Sequence, residues 1–178
     1  MKLLLVLLTL SLLVAVDVGR PSLAQSSIPA ATIGNGKQID KPSAPVLSIA
    51  PEANAAVQVV DSFMAKLASG DLSAAEKFLD PGLVVISNGI IQGSRSDYLN
   101  GPAKTDAAYL QKNRRQLLRR QARADTSFAW VISEKALFPQ NAGKSTTQLV
   151  SETMLLAKTP AGWKIMHIHW SSHVATGS

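Results

Sequence analysis

Apolar residues at 57, 60, 63, 64 and 67 recur at spacings of three and four. Val57, Val60, Phe63, Met64 and Leu67 therefore predict one stripe of a helix, with Pro51 in its opening turn. Gly70 suits a left-handed stop after it. Ser73 with Glu76 has capping-box spacing and opens a short second helix through Leu79, ended by Asp80-Pro81-Gly82. The pattern then changes period. Residues 83–87 are mostly β-branched, Asn88-Gly89 is a strong hairpin dipeptide, and Ile90-Ile91-Gln92 supplies a return strand. Ser94 with Asp97 repeats the capping spacing, predicting a short helix over 95–100 that turns Tyr98 and Leu99 inward, with another near 103–112. Residues 114–123 are ambiguous, since Arg, Gln and Leu favour helix while the approach to Asp125-Thr126-Ser127 reads as a strand before a turn; we read a strand. Long β segments follow at 128–138, 145–157 and 163–171, separated by residues 139–144 and by Thr159-Pro160-Ala161-Gly162. Helices first and antiparallel strands afterwards predict an α+β domain.

The N-terminal pattern differs. Lys2 precedes an apolar run over 3–16, followed by a polar break and Ser22-Leu23-Ala24. The run is shorter than the ~20 residues a bilayer-crossing helix needs, and small residues occupy the positions a signal peptidase reads. Residues 1–24 are thus expected to be a signal peptide, the mature chain to start at Gln25, and the product to be periplasmic or secreted, with no stable membrane insertion after cleavage. Residues 25–51 contain four of the nine prolines, several Ser and Gly and no amphipathic period. They read as a flexible tether ahead of a domain at 52–173, with 174–178 a C-terminal tail.

Composition narrows the chemistry. The 178 residues contain no cysteine, which excludes disulfides, thiolate zinc sites, cysteine nucleophiles and a lipid-bearing cysteine. The formal charge of +6 becomes +5 after removal of 1–24, a basic balance that favours weak attraction to anionic surfaces. Lys112, Arg114, Arg115, Arg119, Arg120 and Arg123 place six positive charges in twelve residues without an acid. Strand alternation would put Arg115, Arg119 and Arg123 on one side, as a solvated outer face or an anion-binding surface, with Leu118 and Ala122 on the other. No aromatic residue interleaves these charges, so a base-stacking surface and nucleic-acid binding are not expected. Phosphate-loop, serine-elbow and zincin motifs are absent.

The stretch SETMLLAKTPAGWKIMHIHWSS at 151–172, the opening AAVQVVDSFMAKLASGDLSAAEKFLDPG and the segment SRSDYLNG resemble the nuclear-transport-factor-2-like superfamily, and within it the SnoaL-like group. A more distant resemblance is to the association domain of calcium/calmodulin-dependent protein kinase. The likeness implies a cone-shaped fold, a curved antiparallel sheet wrapped around N-terminal helices and enclosing a cavity, and frequently a homodimer. In the kinase association domain, pocket arginines stand at places that match Met154 and Trp170. Both are uncharged here, which implies a more apolar ligand. If these two face the cavity, alternation adds Val150, Glu152, Met166 and Ile168 and turns His167 and His169 away.

Candidate ligand-binding residues are therefore Glu152, Met154, Ile168 and Trp170, with Tyr98 at the pocket mouth. Tyr109 is a further hydroxyl, and for both tyrosines core packing is the stronger reading. Candidate catalytic residues are Glu152, whose carboxyl in an apolar cavity would become competent near neutral pH, and His167 or His169 as a base. Glu134 is a weaker acid candidate. His167 and His169 share a strand face and could begin a metal site with His173 or Glu134. Two ligands are insufficient, so no metal and no cofactor is expected. Asp97 reads as a helix cap and Asp61 as exposed. Superfamily membership alone decides no chemistry. The leading expectation is an exported, non-catalytic protein that binds a mainly apolar small molecule. The alternatives are a cofactor-independent isomerase, dehydratase or cyclase and a pure interaction domain.

Overall fold

The computed structural model describes residues 44–140 and 146–175; the expected signal peptide and residues 25–43 of the expected tether lie outside them. Seven strands form one curved, unclosed sheet with the helices packed on its inner face, an α+β architecture. In chain order, β1 (Val46–Ile49) leads into α1 (Asn54–Ser69) and α2 (Leu72–Glu76). The hairpin of β2 (Leu79–Ser87) and β3 (Ile90–Ile91) and the helices α3 (Arg95–Asn100) and α4 (Pro102–Gln111) follow. Four long strands complete the chain: β4 (Asn113–Ala124), β5 (Phe128–Pro139), β6 (Gln148–Thr159) and β7 (Gly162–Val174).

The stripe read from the sequence is the buried face of α1, where Val60 and Phe63 are fully buried and Val57, Met64 and Leu67 nearly so. Each such side chain contributes roughly 1.5–3 kcal/mol relative to exposure. Ser94 and Asp97 form the expected capping box on α3, each side chain bonding the other's backbone N–H. The cap of α2 differs from expectation. Asp71 rather than Ser73 accepts from the Ala74 N–H, and the helix ends at Glu76 because Leu79 has already entered β2. Asp80-Pro81-Gly82 therefore lies inside a strand. The β2–β7 register is interrupted between Leu79 and Val84, where Pro81 has no N–H to offer the ladder. Asn88 and Gly89 both take positive φ, as a tight two-residue hairpin requires.

The strand order is β1-β4-β5-β6-β7-β2-β3. The four long strands and the β2–β3 hairpin are antiparallel as expected, but β1 pairs with β4, and β2 with β7, in parallel. Residues 114–123 are strand, resolving that ambiguity. Within the region expected to be tether, Val46–Ile49 are instead a strand: they pair with Arg119–Ala122, and the Ala50 N–H bonds the Ala122 carbonyl at 3.1 Å. At the other end Val174 is still in β7, and the Ala175 N–H reaches the Thr147 carbonyl.

Two irregularities change which residues face inward. The register shifts at Leu118 in β4 and at Met166 in β7, where each is the extra residue without a cross-strand partner. In β7, Trp163 and Ile165 are buried before the bulge, and Ile168 after it. Met166, expected to face the cavity, is therefore half-exposed. In β4 the bulge breaks the expected arginine stripe. Arg119 stands opposite the exposed Glu134, whereas Arg120 stands opposite the buried Ser133. Arg120 is buried, donating to Ser133 Oγ at 3.1 Å and to both Asp61 oxygens at 2.8 and 3.0 Å. The six-cation run is thus divided between the two faces.

Candidate functional site

Cross-strand registers arrange the inner face of the sheet in rows. Ala122, Val131, Met154, Ile168 and Val85 align and are all buried, forming the packed core against α1. The next row is polar: Arg120, Ser133, Glu152, Trp170 and Ser87. A third row holds Leu117, Lys135, Val150 and Ser172, and a fourth Arg115, Leu137 and Gln148. From the polar row outward the sheet and helices separate, leaving a cavity of about 110 Å³. Met64, Leu67 and Leu110 form its helical wall, and Leu137, Val150 and Trp170 lie on the sheet side.

Glu152 is 1% exposed, and its carboxylate is fully engaged. Lys135 Nζ lies 2.7 Å from Oε1 and 2.8 Å from Oε2, and the Trp170 indole N–H donates to Oε2 at 2.9 Å. Glu152 and Trp170 are direct cross-strand partners, while Lys135 reaches Glu152 diagonally from the neighbouring strand. Burying this pair is tolerated because each charge meets its opposite and the lone pairs are satisfied.

A second polar group stands on the helical side. Asp106 of α4 lines the cavity, and its Oδ2 accepts from the Tyr98 hydroxyl at 3.2 Å. Burial raises the Asp106 pKa above the usual carboxylate range, with the Tyr98 hydrogen bond partly opposing the rise. Tyr98 is fully buried and its hydroxyl pKa is raised by the same burial, with the Asp106 charge adding to it. Its ring centroid lies 6.4 Å from that of Trp170. Arg115 completes the charged lining, and among the described residues it makes no ion pair.

Of the residues singled out from the sequence, Glu152 and Trp170 meet at the cavity. Met154 and Ile168 share their face but sit one row deeper, in the core, because two residues along a strand move a side chain by about 6.5 Å. Tyr98 lies behind Asp106 rather than at the mouth. Tyr109 is partly exposed and its hydroxyl pKa is raised by burial. His167 and His169 pair with Leu155 and Thr153 on the outer face, their ring centroids 6.5 Å apart, and His173 is exposed. Glu134 is exposed and lies 3.4 Å from Arg119 Nε, an ion pair without hydrogen-bond geometry. Asp97 is the α3 cap, and Asp61, though 56% exposed, holds Arg120. Among the described residues no group of three or more His, Cys, Asp or Glu could hold a metal ion, and no helix is long and apolar enough to cross a membrane.

Lys135 and Asp106 escape the sequence reading, while Arg115, expected in a stripe with Arg119 and Arg123, lines the cavity instead. Alternation through Val131, Ser133, Lys135 and Leu137 carries a signal for Lys135, but Trp130 and Ile132 make the opposite face equally apolar. Asp106 carries none, since one acid on a short polar helix reads as solvated.

Comparison with known proteins places this geometry among relatives. The sequence profile of the SnoaL-like domain matches residues 56–175. A solved structure of a proposed ketosteroid isomerase from Shewanella frigidimarina NCIMB 400 is 29% identical, with a TM-score of 0.63, covering 70% of this chain and 99% of its own. A proposed dehydratase of the NTF2-like family from Streptomyces avermitilis is 17% identical, with a TM-score of 0.59 and coverages of 70% and 97%. A proposed calcium/calmodulin-dependent protein kinase II association domain from Xanthomonas campestris is 20% identical, with a TM-score of 0.56 and coverages of 76% and 97%. The last two likenesses concern the fold. No curated protein matches the sequence.

Proposed function

The chain belongs to the SnoaL-like domain family, and from that premise we propose that it is an exported pocket protein that binds a small molecule with a mainly apolar body, without catalysing its conversion. The observation that carries this reading is the cavity itself, with Met64, Leu67, Leu110, Leu137 and Val150 around a closed Glu152–Lys135–Trp170 network. A carboxylate already accepting three hydrogen bonds holds its place and orients the indole. It is not a free base. The test is a cavity-filling variant, Val150→Trp, checked for folding by circular dichroism and compared with the unmodified protein for thermal stabilisation by a panel of small apolar compounds. The unmodified protein should be stabilised by some of them and the variant by none. Equal responses from both proteins would refute the site.

Export rests on the signal-peptide pattern of residues 1–24 and is tested by N-terminal sequencing, which should begin at Gln25. Dimerisation is supported by the outer sheet face, where Phe128 and Ile132 are exposed and Trp130, Leu155 and His167 half-exposed. Sedimentation should then report twice the chain mass.

One observation favours a second reading, a cofactor-independent isomerase, dehydratase or cyclase. Asp106 is a cavity carboxyl with a raised pKa, and the 29% identical structure is named as a proposed ketosteroid isomerase. Turnover of an unsaturated carbonyl or hydroxy-carbonyl compound, lost in Asp106→Asn, would put that reading first.

A further inference from the structure

Two cations, Lys135 and the exposed Arg115, and two carboxylates, Glu152 and Asp106, line the cavity, and only one of each is paired with the other. Lys135 is neutralised by Glu152 at 2.7 and 2.8 Å. Arg115, in the outermost row of the inner face, has no carboxylate partner among the described residues, and Asp106 has its Oδ1 without a hydrogen bond there. When Asp106 carries a proton, the lining is one positive charge in excess, and an acid O–H is available in the same lining.

We propose that the cavity takes a short-chain monocarboxylate, its alkyl chain against the apolar walls and its carboxylate between the Arg115 guanidinium and the Asp106 carboxyl. The inference rests on the pocket reading above and names its ligand class. Arg115 supplies the opposite charge that a carboxylate needs on leaving bulk water, and its planar fork matches two carboxylate oxygens. Asp106 supplies a neutral donor. Tyr98 already occupies its Oδ2, so a proton on Oδ1 points its hydrogen bond away from the Tyr98 hydroxyl. Burial favours that protonated form. The other titratable groups of the lining or packed against Asp106 are Tyr98 from α3, Lys135 from β5 and Glu152 from β6. Tyr98 is a donor to Asp106, while Lys135 and Glu152 cancel each other. The α1 wall contributes only Met64 and Leu67. The cavity of about 110 Å³ has room for a short alkyl tail with its head at the mouth.

Because the bound carboxylate and an ionised Asp106 repel each other, binding takes up one proton. Affinity is then highest below the folded Asp106 pKa and falls about tenfold per pH unit above it. The experiment titrates hexanoate, and separately hexan-1-ol, into the protein between about pH 6 and 8, where hexanoate itself stays ionised. The readout is the Trp170 indole N–H resonance, which reports on the cavity floor through its bond to Glu152. Hexanoate should bind with the stated pH slope and more tightly than the alcohol at the lower pH. Arg115→Gln should remove the preference for the acid. Asp106→Asn, which keeps an acceptor for Tyr98 and a neutral donor for the ligand, should flatten the slope. If hexan-1-ol binds as tightly as hexanoate, or the slope persists in Asp106→Asn, the carboxylate inference is wrong while the pocket reading stands. If neither compound moves the indole resonance, both fall.

Discussion

Replacing Lys135 by methionine keeps the aliphatic stem and removes the charge that holds Glu152. The carboxylate would remain in a place where it is 1% exposed, with only the Trp170 indole N–H as donor. Breaking a buried ion pair by deleting one partner costs about 3–5 kcal/mol, because the remaining charge has lost its solvation and gained nothing. Here Lys135 is itself 11% exposed and borders the cavity, so water can approach the site from one side, and the lower figure of about 3 kcal/mol applies. For a domain of this size that corresponds to a fall in Tm of roughly 10–15 °C. The assay is a urea titration with a parallel thermal melt of four proteins: unmodified, Lys135→Met, Glu152→Gln and the double variant. The double variant should recover more than half of the loss, since an amide can still accept from Trp170 and no charge is stranded. A loss below about 1 kcal/mol in Lys135→Met, or no recovery in the double variant, would show that the pair is solvated and refute the reasoning.

Asp106→Asn should melt a few degrees higher than the unmodified protein at neutral pH. Its folded pKa is raised, so the native state is unpenalised while the acid is protonated and loses stability as pH rises through the folded value; the gap should close below about pH 4, as paired melts across pH will show. Gly93→Ala should cost at least about 1 kcal/mol, because Gly93 sits at φ 82° and an added Cβ would stand 2.8 Å from Asp97 Cβ, inside the α3 cap; urea midpoints check it. A chain beginning at Ala50 should melt several degrees below one beginning at Ala44, since it lacks β1 and its parallel pairing with Arg119–Ala122, and differential scanning calorimetry of the two would decide.

Legibility follows the strength of the local pattern. The α1 stripe, the Ser94–Asp97 box and the Asn88-Gly89 turn are each specified by residues within one or two turns of chain, and all are present. β1 is different, because Val46–Ile49 are four residues among prolines whose only reason to be extended is the edge of β4, more than 70 positions away. The site is legible only through side-chain facing. Glu152 and Trp170 lie on the unbroken stretches of β6 and β7, where alternation is sound. The arginine run crosses the bulge at Leu118, so one period cannot assign both Arg115 and Arg120. Depth along a strand has no sequence signature, which is why Met154 and Ile168 could be assigned the right face and the wrong row. The Glu152–Lys135 contact is diagonal between strands and needs the register that only the folded sheet supplies.

The single unpaired residue at Met166 sets which half of HIHW meets the interior. Upstream of it the odd-numbered residues Trp163 and Ile165 are inside, downstream the even-numbered Ile168 and Trp170. Deleting Met166 would leave Trp163, Ile165, Ile168 and Trp170 on one regular face, whereas flattening the bulge with Met166 kept in the pleat would offer the strand two outcomes: keep Trp163 and Ile165 inside and turn both imidazoles toward the cavity, or keep Trp170 inside and expose the apolar start of the strand. The first exchanges an indole that donates one fixed hydrogen bond for two rings that can carry protons. In this fold, a wall suited to holding a ligand and a wall suited to moving its protons are separated by one bulge, with no change in any side chain.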